Sequence, residues 1–153
     1  MFIFGFLVGV AATLAAMRFL MPKVMIKECK SPYNFERTIE EIQKRAEELG
    51  WRVPSIHDFG SAIKESKGED IGPVKVLEIC KPDLGYTMLK SDENKSMTCF
   101  MPCSLGVYEK RNGQTYVAKR NLKLFSMMFG GEAGEVLKQA AQEEDRITSF
   151  LLQ

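Results

Sequence analysis

The first seventeen residues, Met1–Met17 (MFIFGFLVGVAATLAAM), carry no charged side chain, and Arg18 closes the run. At 1.5 Å per residue such a run spans roughly 26 Å as a helix, near the lower limit for crossing the hydrocarbon of a bilayer. Phe19–Met21 lengthens the span when Arg18 snorkels to the interface, and Pro22 ends or kinks the helix. The pattern divides the chain into a transmembrane anchor at residues 1–21 and a single domain over 22–153.

Beyond Pro22 the periodicity changes. Val24–Cys29 reads as a first strand, closed by Ser31-Pro32. Asn34 is a good N-cap for a helix over Phe35–Leu49, where Phe35, Ile39, Ile42, Ala46 and Leu49 recur at helical spacing and Gly50 supplies the stop. Trp51–Val53 starts a short strand limited by Pro54, and Asp58 or Ser55 caps a short helix reaching Lys67. Val74–Ile79 is a nearly continuous apolar strand that fits a central position, and Pro82 suits the first turn of a helix to about Leu89. After a polar loop at Ser91–Lys95, Met97–Met101 and Leu105–Lys110 read as strand on both sides of Pro102, which marks an edge, a bulge or a bend. Asn112-Gly113 predicts a two-residue hairpin into Thr115–Val117. Asn121–Phe129 forms a short amphipathic piece, and Glu132–Phe150 is a final helix with Val136, Leu137, Ala140, Ala141, Ile147 and Leu151 on one side. Strands and helices mix without βαβ regularity, so the class is α+β.

Charge then orients the anchor. A cleaved signal peptide wants a basic residue before its apolar core; none is present, although Thr13-Leu14-Ala15 is a passable cleavage site. Arg18, Lys23, Lys27 and Lys30 all follow the segment, which by the positive-inside bias puts the domain on the cytoplasmic side of the cell membrane. Gly5, Gly9 and Thr13 form a row of small residues at the spacing that lets two membrane helices approach. The net charge is +1, so nothing suggests a nucleic-acid partner.

Several stretches together resemble the domain-of-unknown-function 302 family. They are Leu49-Gly50-Trp51, Glu78-Ile79-Cys80-Lys81-Pro82, Met101-Pro102-Cys103, Val107-Tyr108-Glu109 with the Asn112-Gly113 turn, and Asn121-Leu122 leading to Met128-Phe129-Gly130-Gly131. The resemblance covers about residues 24–151 and implies a small sheet with helices similar to the TATA-binding-protein type, often seen as a homodimer. It implies no activity. Lys81 departs from the asparagine often found at its position in the family, so a role that needs a small amide there does not carry over.

Chemistry concentrates in few residues: four cysteines and one histidine. Cys80 and Cys103 each sit at a strand end beside a proline, and Cys80 precedes a helix start and adjoins Lys81, the setting a thiolate needs. The pair is a candidate for soft-metal, sulfur or redox chemistry, against a reading in which both are small buried hydrophobes. Cys99 lies four residues from Cys103, about 13 Å along an uninterrupted strand, so only a bulge lets the two share a ligand. Cys29 reads as packed. His57, followed by Asp58, is a candidate base for a Cys80 nucleophile, or a surface or capping residue. The methionines at 88, 97, 101, 127 and 128 read as core rather than as a copper array. No cofactor is required by the sequence. The expected function is a membrane-anchored, homodimeric binding or assembly domain without an enzymatic constellation, its anchor in the lipid bilayer, and the alternative is a thiol-dependent metal- or sulfur-binding protein built on Cys80 and Cys103.

Overall fold

The computed structural model describes residues 2–152; Met1 of the predicted anchor and Gln153 lie outside it. The first helix, α1 (Phe2–Met25), runs through Pro22 and is followed directly by β1 (Ile26–Lys30). The helix therefore ends later, and the strand starts later, than the pattern predicts. Pro22 removes a hydrogen bond only one turn from the end, where the helix has little left to lose.

The remaining elements are α2 (Phe35–Glu48), β2 (Arg52–Asp58), α3 (Phe59–Lys67), β3 (Val74–Cys80), α4 (Pro82–Leu89), β4 (Cys103–Glu109), β5 (Thr115–Arg120), α5 (Leu122–Met128) and α6 (Gly131–Ile147). One antiparallel sheet of five strands has the order β1-β5-β4-β3-β2, so α2 carries the chain from one sheet edge to the other. Leu77 and Ile79 of β3, Leu105 and Val107 of β4 and Val117 of β5 are buried and alternate with more open neighbours, which defines the covered face. Against it lie Ile39, Ile42 and Ala46 of α2 and Val136, Leu137, Ala140, Ala141 and Ile147 of α6, with Phe150 fully enclosed.

The caps follow the local rules. Asn34 Oδ1 accepts from the Arg37 N–H at 2.9 Å, Asp58 Oδ1 accepts from the Ser61 N–H at 2.9 Å, and the Asn121 side chain accepts from the Leu124 N–H at 3.3 Å. Four expectations need correction. β2 continues past Pro54 to Asp58, with irregular pairing between Arg52 and Ser55; as an edge strand it tolerates a residue that cannot donate. The segment Met97–Met101 is not strand: Asp92–Phe100 winds as 3₁₀ turns, secured by Thr98 Oγ1 donating to the Lys95 carbonyl at 2.9 Å, and the chain bends at a cis Met101–Pro102 peptide before β4 begins. The hairpin loop has three residues, Arg111–Gly113, because the Gly113 N–H donates to the Lys110 carbonyl at 2.8 Å and glycine takes φ 74° there, the turn-plus-bulge form rather than the two-residue one. The last helix stops at Ile147 and finishes as a 3₁₀ turn at Ser149–Leu152. β3 is interior, flanked by β2 and β4, while β4 is the central strand.

Of the glycines, Gly134 leaves a Cβ the least room against neighbouring backbone. A Cβ there would overlap the Phe129 carbonyl oxygen and sit 3.3 Å from the Ser126 carbonyl. Alanine at a helix position ordinarily gains about 1 kcal/mol over glycine, but overpacking against backbone costs about 1–3 kcal/mol. We expect Gly134→Ala to be destabilised by a net of up to about 2 kcal/mol, read as a lowered urea midpoint with unchanged slope; a raised midpoint would show that α5 and α6 shift apart freely.

A thiol-lined cavity as the candidate functional site

Pro82 starts α4 where β3 ends, and Pro102 bends the chain into β4, so both proline-flanked cysteines arrive at the same end of adjacent strands. Cys103 stands opposite Ile79 in the ladder, and Cys80 stands opposite Arg52. Both line one cavity of about 40 Å³, whose walls are almost wholly apolar. Leu84, Gly85 and Met88 of α4 form one wall, Val136, Leu137 and Ala140 of α6 another, and Phe100–Pro102 a third, with Trp51 and Lys81 at the side. Gly85 leaves room for Met101, since a Cβ would come 3.3 Å from Met101 Cε and the methionine tip would have to shift slightly.

The two thiols are not equivalent. Cys103 lies on the covered face with Leu105 and Val107, and burial pushes its thiol up to about 12; Glu144 and Cys80 add to the rise and Arg120 opposes it. At neutral pH Cys103 is therefore a protonated, weakly reactive thiol, not the thiolate that metal binding or disulfide exchange uses. The lysine beside Cys80 is already engaged: Lys81 Nζ donates to Glu143 Oε2 at 2.6 Å. Trp51 Nε1–H donates to the same oxygen at 2.7 Å, and Gln139 Nε2 donates to Glu143 Oε1 at 3.0 Å. Burial raises the Glu143 carboxyl, but these donors outweigh it and hold the group below the usual carboxylate range. Glu143 thus ties Trp51, the β3–α4 junction and α6 together at the cavity's rim. Sequence reasoning missed it, although its position three residues after Ala140, beside the apolar stripe, was a signal.

Cys99 is exposed in the 3₁₀ turns and does not line the cavity. Cys29, on β1 opposite Val117, packs against the core. Among the described residues, no group of three or more histidine, cysteine or acidic side chains is placed to hold a metal ion. His57 stands opposite Val76, four residues and about 13 Å from Cys80 along β3, so the structure does not bring the two together. Its ring Nε2 lies 3.0 Å from Glu78 Oε1 and 3.2 Å from Ser55 Oγ, while Asp58 is spent on its capping bond. Met88 and Met97 are buried, Met101 lines the cavity, and Met127 and Met128 are exposed.

Alkylation separates these environments. With iodoacetamide at pH 8 the folded chain is expected to label first at Cys99, with Cys103 protected until denaturant is added. A thiol near 12 rather than its ordinary 9.0 holds about a thousandfold less thiolate. Labelling of Cys103 at a rate like that of Cys99 would contradict its placement.

An α+β domain with one helical cover and an apolar, sulfur-lined cavity defines the class of protein. The chain belongs to the family described as "Domain of unknown function DUF302", whose model matches residues 27–151. It is also similar in fold to the crystal structure of an uncharacterized conserved DUF302 protein from Bacillus stearothermophilus, with 24% identity, a TM-score of 0.69, and coverage of 83% of this chain and 95% of that one. Comparison with curated proteins finds no match.

Proposed function

We propose that the protein is a membrane-anchored, homodimeric binding or assembly domain, single-pass and with its soluble part on the cytoplasmic side. The observation that carries this reading is α1, which stands clear of the fold. None of the apolar window within Phe4–Met25 is buried, and Phe4, Leu7, Leu14 and Phe19 are more than half exposed. A helix with apolar side chains bare on every side needs lipid or another helix as its solvent. The basic residues Arg18, Lys23, Lys27 and Lys30 following the run support the cytoplasmic orientation.

Two features support pairing. Nothing lies within 4 Å of a Cβ placed on Gly5 or Gly9, and Thr13 Oγ1 satisfies itself on the Gly9 carbonyl at 2.9 Å, which leaves a smooth groove on the helix. On the sheet, the face away from the core carries the cross-strand row Glu28, Ala118, Gly106, Val76 and His57, whose members are half-buried or exposed. A sheet with its helices on one side fits the TATA-binding-protein type of arrangement. The test is flotation of native membranes after carbonate washing, then native mass spectrometry of the detergent-solubilised chain. Release by carbonate would sink the anchor, and a monomer at all concentrations would sink the dimer. A reporter active only outside the cytoplasm, fused after Gln153, should be silent.

The alternative, a soft-metal or sulfur-binding protein, draws support from the cavity itself, where Cys80 and Cys103 share walls with Met88 and Met101. Elemental analysis of the chain purified without chelators tests it. A stoichiometric metal or extra sulfur lost in Cys80→Ser would favour it, and an apo chain unchanged by added Cu(I) or Ag(I) would end it.

A further inference from the structure

We propose that α5 is a second membrane contact: its exposed methionines, Met127 and Met128, enter the headgroup layer of the bilayer beside the end of α1 and fix the tilt of the domain. The inference rests on the anchor reading above. Asn121, the residue that caps α5, is bolted to the last turn of α1. Its backbone N–H donates to the Met25 carbonyl at 2.8 Å, and its Nδ2 donates to the Val24 carbonyl at 2.9 Å. The start of α5 is therefore held at the last turn of α1, four residues or about 6 Å beyond Met21, where the apolar anchor segment ends. α5 has seven residues, so Met127 and Met128 lie within about 10 Å of that clamp. An interfacial helix reaches a comparable depth, about 5–10 Å.

The surface of α5 suits that position. Met127 is 77% exposed and Met128 65%, among the barest large apolar side chains outside α1. Leu122 faces the core and Phe125 packs on Phe100, so the helix cannot simply roll to hide its methionines. Lys123 is exposed and lies one turn before Met127, where its stem can follow the apolar surface while its ammonium reaches a lipid phosphate. Methionine is flexible and unbranched, suited to a disordered interfacial layer. Continuity with the span selects lipid as the occupant, because a protein partner would have to fit within the same few ångströms of membrane surface.

The test uses the full chain in liposomes containing brominated phosphatidylcholine. Tryptophan is introduced singly at Leu14 in α1, at Met128 in α5, or at Lys67, the last residue of α3, which follows the edge strand farthest from β1. The native Trp51 is 3% exposed, and its emission provides the baseline. We expect Leu14→Trp and Met128→Trp to lose emission to the bromines and Lys67→Trp to keep it. If Leu14→Trp is quenched and Met128→Trp is not, α5 stays in water and the proposal fails while the anchor stands. A blue-shifted but unquenched Met128→Trp identifies a protein cover and equally overturns it. If Leu14→Trp itself is unquenched, the anchor reading fails first and takes this contact with it.

Discussion

Between about pH 4.5 and pH 7 the folded chain is expected to lose roughly 3 kcal/mol of stability as pH rises, through Glu144. Glu144 is buried on the sheet side of α6, and burial lifts its carboxyl from the ordinary 4.5 to about 7, with Asp145 adding to the rise. Lys119 and Arg120 oppose the lift without cancelling it. The geometry explains why Lys119 is a weak antidote. Its ammonium donates to Asp145 Oδ1 at 2.7 Å and to Thr148 Oγ1 at 2.8 Å, and stands 3.5 Å from Glu144 Oε1. In this window the folded chain holds a proton that the unfolded chain has released, so the contribution is fully present below 4.5 and gone above 7. Carboxylates held below their usual range, such as Glu143, work in the opposite direction and at lower pH, where their stabilisation is lost on acidification. Glu144→Gln should come within about 1 kcal/mol of the wild type at pH 5, exceed it by about 3 kcal/mol at pH 8 and lack the Glu144 slope between, measured by urea unfolding. A variant that keeps the wild-type slope would place the titration elsewhere.

Which parts of this arrangement the sequence exposes follows from the range of the forces. Asn34, Asp58, Gly50, Gly68 and Asn121 act within four residues of themselves, and each does what its type predicts. Strand ends and loop lengths depend on partners far along the chain. Nothing local tells β2 that it will be an edge able to carry Pro54, or tells Met97–Met101 that a bend at Pro102 will detach it from the sheet. At the site, the convergence of Cys80 and Cys103 was legible because both mark strand ends, whereas their chemistry was not. Only burial reveals that Cys103 keeps its proton and that Lys81 already has a carboxylate. Likewise Lys119 alternates with Thr115 and Val117 as an inward residue, a lysine in a core position that only Glu144, Asp145 and Thr148 make tenable.

Consecutive glutamates on α6 thus serve two different surfaces, and the second is expected to matter as much as the first. Glu143→Leu should cost about 3–4 kcal/mol, because it removes the acceptor that Trp51 Nε1–H has among the described residues and strands Lys81, whose side chain is 21% exposed. The methylene volume gained does not offset a lysine left without its carboxylate. Combining it with Lys81→Met should restore most of the loss, since replacing both members of a partly buried pair with apolar groups is near neutral. What remains is the unpaired indole N–H, about 1 kcal/mol. Trp51 is the single tryptophan and 3% exposed, so its emission reports on the same junction in every variant. A double variant as unstable as the sum of its parts would mean that Lys81 and Glu143 act independently. In that case packing of α6 on α4 and Trp51, rather than the shared carboxylate, holds the cavity's rim closed.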